Sequence, residues 1–335
     1  MIVDNPFAEK VPSLFIVQTP FQAMCAISAI QQLKIDQYTL TLHLHKTTEN
    51  RNKQTIEIVE RYGLKYNVSR EDLLSFRKRI GLLFKHTNRY KRVFLGTHLY
   101  QDGYYYSIRE LQRGGALVHL DDGIATISLL KNQFNVTGRS IIINSYYKLI
   151  ARLRNIKLNN VLTVYEGIEN PKWNIAINDI SSLRLPGMSK LKKRVFFIGT
   201  NNGGFISEGI NEEDFKHALF EVLNRVRTTF PQEEIVYVPH GRDKSLFARD
   251  FCEKLGIGYL PLGVNVEVYI LSLENAPLAI YGFTSSALYN LKRIFPETEV
   301  NNVMIKLLTN SYSSILEVSK YYETQGIVPL LFDVD

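Results

Sequence analysis

Glu234-Ile235-Val236-Tyr237-Val238-Pro239-His240-Gly241-Arg242-Asp243 is the stretch that decides the fold. Its first half is β-branched and aromatic and reads as a buried strand; Pro239-His240-Gly241 stops that strand, and Lys244 to Leu255 behind it is helical. A strand that turns through a few polar residues into a helix is the repeating unit of a parallel sheet. The unit recurs on either side. Upstream, Arg194 to Ile198 is a strand ending in a Gly/Asn turn, and Glu213 to Phe230 is a helix. Downstream, Pro277 to Tyr281 is a strand that runs into Gly282-Phe283-Thr284-Ser285-Ser286-Ala287-Leu288, and Ser285 to Ile294 opens a helix.

The first half alternates in the same way. Leu14 to Val17 precedes a helix from Pro20 to Lys34, and Tyr38 to His45 precedes one from Asn52 to Tyr62. Arg92 to Leu95, a helix from Tyr104 to Arg113 and a strand from Ala116 to Leu120 follow. At 335 residues and 45% hydrophobic content the chain has apolar material for two cores. The breaker Pro186-Gly187 places the junction between Leu183 and Lys193, so the expected domains are 1–188 and 189–335, both α/β and doubly wound. A helix from Tyr312 to Gln325 is expected to end the chain and to cross back to the first domain.

Composition excludes several classes. The longest apolar runs are strand-sized, short of the ~20 residues of a membrane helix. Met1 to Lys10 is polar and lacks the pattern of a secretory signal, so a cytoplasmic location is expected. Cys25 and Cys252, the only cysteines, sit among apolar neighbours and read as buried thiols. The net charge of +7 concentrates between Arg51 and Arg92 and again from Lys190 to Arg194. Solvated helix faces, a peripheral contact with the inner face of a membrane, and a field drawing in an acidic substrate all fit that excess. No nucleic-acid-binding motif is present, and nucleic acid is not an expected partner.

Three polar clusters stand at predicted strand ends. Asp121-Asp122-Gly123 offers two carboxylates for general-base work, metal ligation or an N-cap, and no third carboxylate nearby in sequence supports a metal. His240, beside Gly241 and Arg242, is placed to bind a phosphate and give it a proton. Ser285-Ser286 caps a helix, and a serine-capped N-terminus is also where phosphate oxygens are held.

In this order, an acidic pair with Gly, a His element and a Ser-Ser element, the chain resembles the bacterial sialyltransferases of glycosyltransferase family 52 and the capsular polysialyltransferases. Val17-Gln18-Thr19-Pro20-Phe21-Gln22 resembles the opening strand and helix of that group. The family histidine is commonly followed by proline, whereas His240 is preceded by Pro239 and followed by Gly241. The resemblance implies a GT-B type fold, two Rossmann-like domains facing across a cleft. It also implies inverting, metal-independent transfer of sialic acid or a related nonulosonic acid from a CMP-sugar to a glycan acceptor such as lipooligosaccharide or capsule. Asp121 or Asp122 would be the general base, with Asp121 preferred, and His240 would contact the CMP phosphate. Thr19, Gly199, Thr200, Asn201, Gly241, Ser285 and Ser286 would bind the donor, and Glu267 would either hold the ribose or be a solvated edge residue. Thr97-His98 and Tyr104-Tyr105-Tyr106 are candidate acceptor contacts. The competing readings are a glycosyltransferase using a nucleotide diphosphate sugar, and a non-catalytic nucleotide- or glycan-binding protein of the same fold.

Overall fold

The computed structural model describes residues 6–7, 10–44, 49–69, 81, 86–96, 101–123, 125–130, 148–184, 193–202, 211–273, 275–305 and 313–332. Thr97-His98, Pro186-Gly187 and most of the Lys190 to Arg194 basic run lie outside them. The chain divides into two compact units, Met1–Leu183 and Arg184–Asp335.

In the first unit β1 (Ser13–Val17), α1 (Pro20–Gln32), β2 (Tyr38–His43), α2 (Glu49–Arg61), β3 (Asn67–Ser69), β4 (Tyr90–Leu95), α3 (Gln101–Glu110) and β5 (Leu111–Leu120) follow in turn. Then come α4 (Ala125–Leu130), a helical segment α5 (148–153), β6 (Lys157–Thr163) and β7 (Asn174–Ile177). The seven strands pair in the order β3-β2-β1-β4-β5-β6-β7, parallel throughout. Because the chain winds outward from β1 and then jumps to β4, the strand order reverses between those two, the position at whose C-terminal side sheets of this kind bind ligands. Phe15 and Phe94 stack across that junction with centroids 4.3 Å apart.

The second unit repeats the scheme with β8 (Arg194–Ile198), α6 (Glu212–Thr229), β9 (Glu234–Val238), α7 (Phe247–Leu255), β10 (Gly258–Tyr259) and α8 (Val266–Leu271). It continues with β11 (Ala279–Phe283), α9 (Ser286–Ile294), β12 (Glu299–Ile305), α10 (Ser313–Thr324) and β13 (Val328–Phe332). Its strand order is β10-β9-β8-β11-β12-β13, again all parallel, with the reversal between β8 and β11. Phe197, Phe215, Leu219, Val222, Tyr237 and Phe283 are buried between this sheet and its helices.

One expectation needs correction. The helix expected to end the chain is followed by β13, which pairs with β12. Within its unit that helix is fixed by the Tyr322 hydroxyl, which donates to the Ser285 carbonyl at 2.8 Å, and by the Tyr321 and Tyr322 rings, which stack on Tyr289. Cys25 and Cys252 are buried thiols, as the composition implied, and burial pushes Cys252 up to about 12.

Candidate active site

At the first reversal, β1 runs into a tightly built helix start. Thr19 is the N-cap of α1, accepting from the Gln22 N–H at 3.2 Å, and Pro20 takes the first helical position, where no amide proton is needed. Thr19 is therefore a cap, whatever else its hydroxyl donates to. Gln22 is buried and reaches two ways: its Oε1 accepts from the Gln18 N–H at 2.8 Å and its Nε2 donates to Asp122 Oδ1 at 2.9 Å. Gly96, at the end of β4, lets this happen. A Cβ there would stand 2.8 Å from Gln22 Oε1, so any side chain at 96 would push Gln22 off Asp122.

The two aspartates differ sharply. Asp121 is fully enclosed; Thr163 Oγ1 donates to its Oδ1 at 2.7 Å and the Val164 N–H to its Oδ2 at 2.6 Å. Burial raises its carboxyl to about 7, with the bonds from Thr163, Val164 and Thr126 pulling the other way and the Asp122 charge adding slightly to the rise. Asp122 is half-buried, and its Oδ2 has no hydrogen-bond partner among the described residues. Burial raises its carboxyl too, against the Gln22 bond and the positive charge of Arg51. The preference for Asp121 as base is not supported by this geometry. A sealed carboxylate with both oxygens engaged cannot meet an acceptor hydroxyl, whereas Asp122, oriented by Gln22 and with its pKa raised, has one oxygen that takes no bond from the described residues.

His119, two residues earlier, is likewise enclosed, with the Tyr104 and Trp173 rings 5.5 and 5.4 Å from its own. Burial lowers it to about 4, so it stays neutral and shaped to the core.

At the second reversal three loops leave the sheet. The β8 loop starts at Gly199, whose N–H donates to the Val238 carbonyl at 2.8 Å, and a Cβ on Gly199 would lie 2.7 Å from Tyr237 Cζ. Glycine is thus required for the Tyr237 ring to cross the strand end. Thr200 and Asn201 follow, half-buried, and then the fully buried Asn202. Asn202 Nδ2 donates to Asp243 Oδ2 at 2.7 Å and to Ser245 Oγ at 3.2 Å, while the Ser245 N–H and hydroxyl both donate to the Asp243 carboxylate. This network stitches the β8 loop to the His240-Gly241-Arg242-Asp243 turn, which is closed by Asp243 N–H donating to the His240 carbonyl at 2.8 Å.

His240 is exposed at the tip of that turn, and its Nδ1 accepts from the Arg242 N–H at 3.2 Å. In the neutral ring the proton therefore sits on Nε2, which faces outward as a donor. Partial burial and then the Arg242 charge lower its pKa, with Asp243 opposing. Gly241 has open space where a Cβ would stand, so no packing demand explains that glycine.

Ser285 caps α9, its Oγ accepting from the Ala287 N–H at 3.3 Å. Ser286 is half-buried at the first turn, with no hydrogen-bond partner for its hydroxyl among the described residues. His240 and Ser285 leave the same sheet edge but do not adjoin. β8 runs between their strands, so their backbones are separated by two strand spacings, roughly 10 Å. Glu267 is not a solvated edge residue: it lies in the first turn of α8, 3% exposed, and Asn290 Nδ2 of α9 donates to its Oε1 at 2.9 Å. Burial raises its carboxyl, with the bonds from Asn290, its own backbone and Asn265 opposing.

Gln22, Asn202 and Ser245 were absent from the expected site. Gln22 was signalled by the Thr19-Pro20-Phe21-Gln22 spacing of a capping box. Asn202 carried no local signal, because its partners lie some forty residues on. Among the described residues no cluster of three or more His, Cys, Asp or Glu side chains is placed to hold a metal ion.

No protein-family model matches the sequence, and no curated protein matches it. Solved structures do. A Listeria monocytogenes protein assigned as a UDP-N-acetylglucosamine 2-epimerase superposes with a TM-score of 0.55 at 10% identity, over 95% of this chain and 91% of that one. Another UDP-N-acetylglucosamine 2-epimerase gives 0.54 at 11%, over 98% and 84%. A 2,6-sialyltransferase from Photobacterium sp. JT-ISH-224 fits more loosely, with a TM-score of 0.49 at 10% identity over 95% of this chain and 78% of that one. The chain has an α/β fold of GT-B type, with two Rossmann-like doubly wound units, as these structures do. At these identities the likeness reaches the fold and stops there.

Proposed function

We propose that the protein is an inverting glycosyltransferase that moves sialic acid, or a related nonulosonic acid, from a CMP-sugar to a hydroxyl of a glycan acceptor. One observation carries the reading. The strand-end edge of the first unit holds an open carboxylate with a raised pKa and a fixed orientation, Asp122 on Gln22. The corresponding edge of the second unit presents neutral and cationic donors suited to a phosphate: His240 Nε2, Arg242, the Ser286 hydroxyl and the start of α9.

A base and an anion site are the two parts that a single displacement needs. Asp122 takes the acceptor proton as the acceptor oxygen bonds to the anomeric carbon, and the bond from that carbon to the CMP phosphate oxygen breaks. The electron pair leaves with the phosphate, where His240 donates through Nε2–H and the N-terminal amides of α9 meet the charge. No covalent enzyme intermediate and no step through a metal is required. Glu267 is enclosed and its carboxylate takes bonds from Asn290, its own backbone and Asn265, so a ribose contact there would have to displace one of them. The preference for CMP over nucleotide diphosphates rests on the sequence resemblance.

The test is incubation with CMP-sialic acid and a panel of terminal galactosides and sialosides, with products read by mass and linkage analysis. A sialylated product lost in Asp122→Asn and kept in Asp121→Asn supports the assignment. Turnover of UDP-sugars with CMP-sialic acid inert overturns the donor class.

A further inference from the structure

The inward side of α5 is fixed in place. Ala151 is fully buried and Ile156 nearly so, packed with Ile150 in the core beside α3. Arg154 donates to the Ile108 and Leu111 carbonyls at the end of α3 and, at 2.6 Å, to Asn88 Oδ1. The helix ends in a Schellman turn: the Ile156 N–H reaches the Ala151 carbonyl at 2.8 Å, the Asn155 N–H reaches that of Arg152 at 3.0 Å, and Asn155 has φ 54°.

With that side tied down, α5 cannot roll its outer face inward. Leu149 and Leu153, one turn apart, are held 53% and 69% exposed. Lys148 and Arg152 form a parallel exposed row beside them. Lys148, Arg152 and Lys157 also line an open groove of about 410 Å3 with Asn155 and Asn159, and no carboxylate is among its described lining residues.

We propose that this face docks on an anionic phospholipid surface, Leu149 and Leu153 entering the headgroup layer while Lys148 and Arg152 hold lipid phosphates. Adjacent apolar and basic rows on one helix face are what an interfacial helix requires. A second copy of the chain fits the face poorly, because a two-fold contact sets the same patch against itself and would oppose the cations of one protomer to those of the other. No helix among the described residues is long and apolar enough to cross a membrane, so the contact is one of surface docking.

The experiment is co-sedimentation of the full chain with phosphatidylcholine vesicles, with and without phosphatidylglycerol, at low and high salt. Wild type sediments with the anionic vesicles only and is released as salt rises. Lys148→Glu/Arg152→Glu and Leu149→Ser/Leu153→Ser each lower partitioning at least about tenfold with circular dichroism and melting temperature unchanged. Reversal of the exposed Lys53 and Lys65 leaves it within about twofold. Equal binding to neutral vesicles, binding that survives both α5 variants, binding that is lost with Lys53 and Lys65 instead, or a dimer dissolved by the leucine pair overturns the proposal. No nucleotide enters the assay, so its outcome is separate from the donor assignment.

Discussion

Asp121 uses both oxygens on β6 and the loop after it, so its role is to lock the end of β5 against its neighbour. Its raised pKa has a sign that can be checked. The folded state keeps a proton that the unfolded chain releases near 3.8, so the stabilisation is complete below that value and is lost as pH rises through about 7. Between about pH 4 and 7, wild type should therefore lose stability relative to Asp121→Asn, by on the order of 4 kcal/mol at most; parallel melting curves across that window would contradict the assignment. Asp121→Ala, which removes the acceptor of the Thr163 hydroxyl and the Val164 N–H, should cost about 1–3 kcal/mol at any pH. For Asp122→Asn the loss falls on turnover, by about 10²–10⁴-fold, with CMP affinity kept. His240→Ala should weaken both, and His240→Gln, which keeps a side-chain N–H donor, should recover part of the affinity in a titration with CMP.

Strands and helices carry the next set of constraints. Gln22 orients Asp122 only because Gly96 leaves room, so Gly96→Ala should lower turnover with CMP affinity unchanged and cost about 1–3 kcal/mol of stability; full activity in that variant would remove Gln22 as a positioning residue. The strands around His240 were legible because they are continuous apolar runs between punctuating turns: Arg194 to Ile198 and Glu234 to Val238 coincide with β8 and β9. Other strands were hidden by their polar residues. β12 contains Asn301-Asn302, a pair that argues against a strand by propensity. Here Asn302 is satisfied by Thr284 after β11 and Ser319 of α10, partners that reach it only in the folded unit, and Asn301 by Glu299 two residues back on the same strand. β6, with Asn159-Asn160 at its centre, was missed for the same reason, Asn160 donating to the Leu117 carbonyl at 3.0 Å. Which aspartate is open was equally illegible, because burial of Asp121 depends on Thr163, across the sheet.

At the scale of the molecule, two units with separate cores share the proposed chemistry, and each places its polar residues where its own strand order reverses. The acidic pair, the histidine and the serine pair follow strand ends in the two sheets, and the alternation of strand and helix around them is what made the fold class legible in the sequence. A unit with its own core should fold alone. Residues 184–335 expressed by themselves should unfold cooperatively and still be stabilised by CMP; a fragment that folds without responding to CMP would move donor binding away from His240 and Ser286. The most direct measurement on the full chain is its melting temperature with CMP, UDP and GDP at matched concentrations. A ligand of the native state adds about 2.7 kcal/mol at 100 times its Kd. CMP should raise the melting temperature of wild type and of Asp122→Asn alike, less so that of His240→Ala, with UDP and GDP inert; stabilisation by UDP and none by CMP would contradict the account.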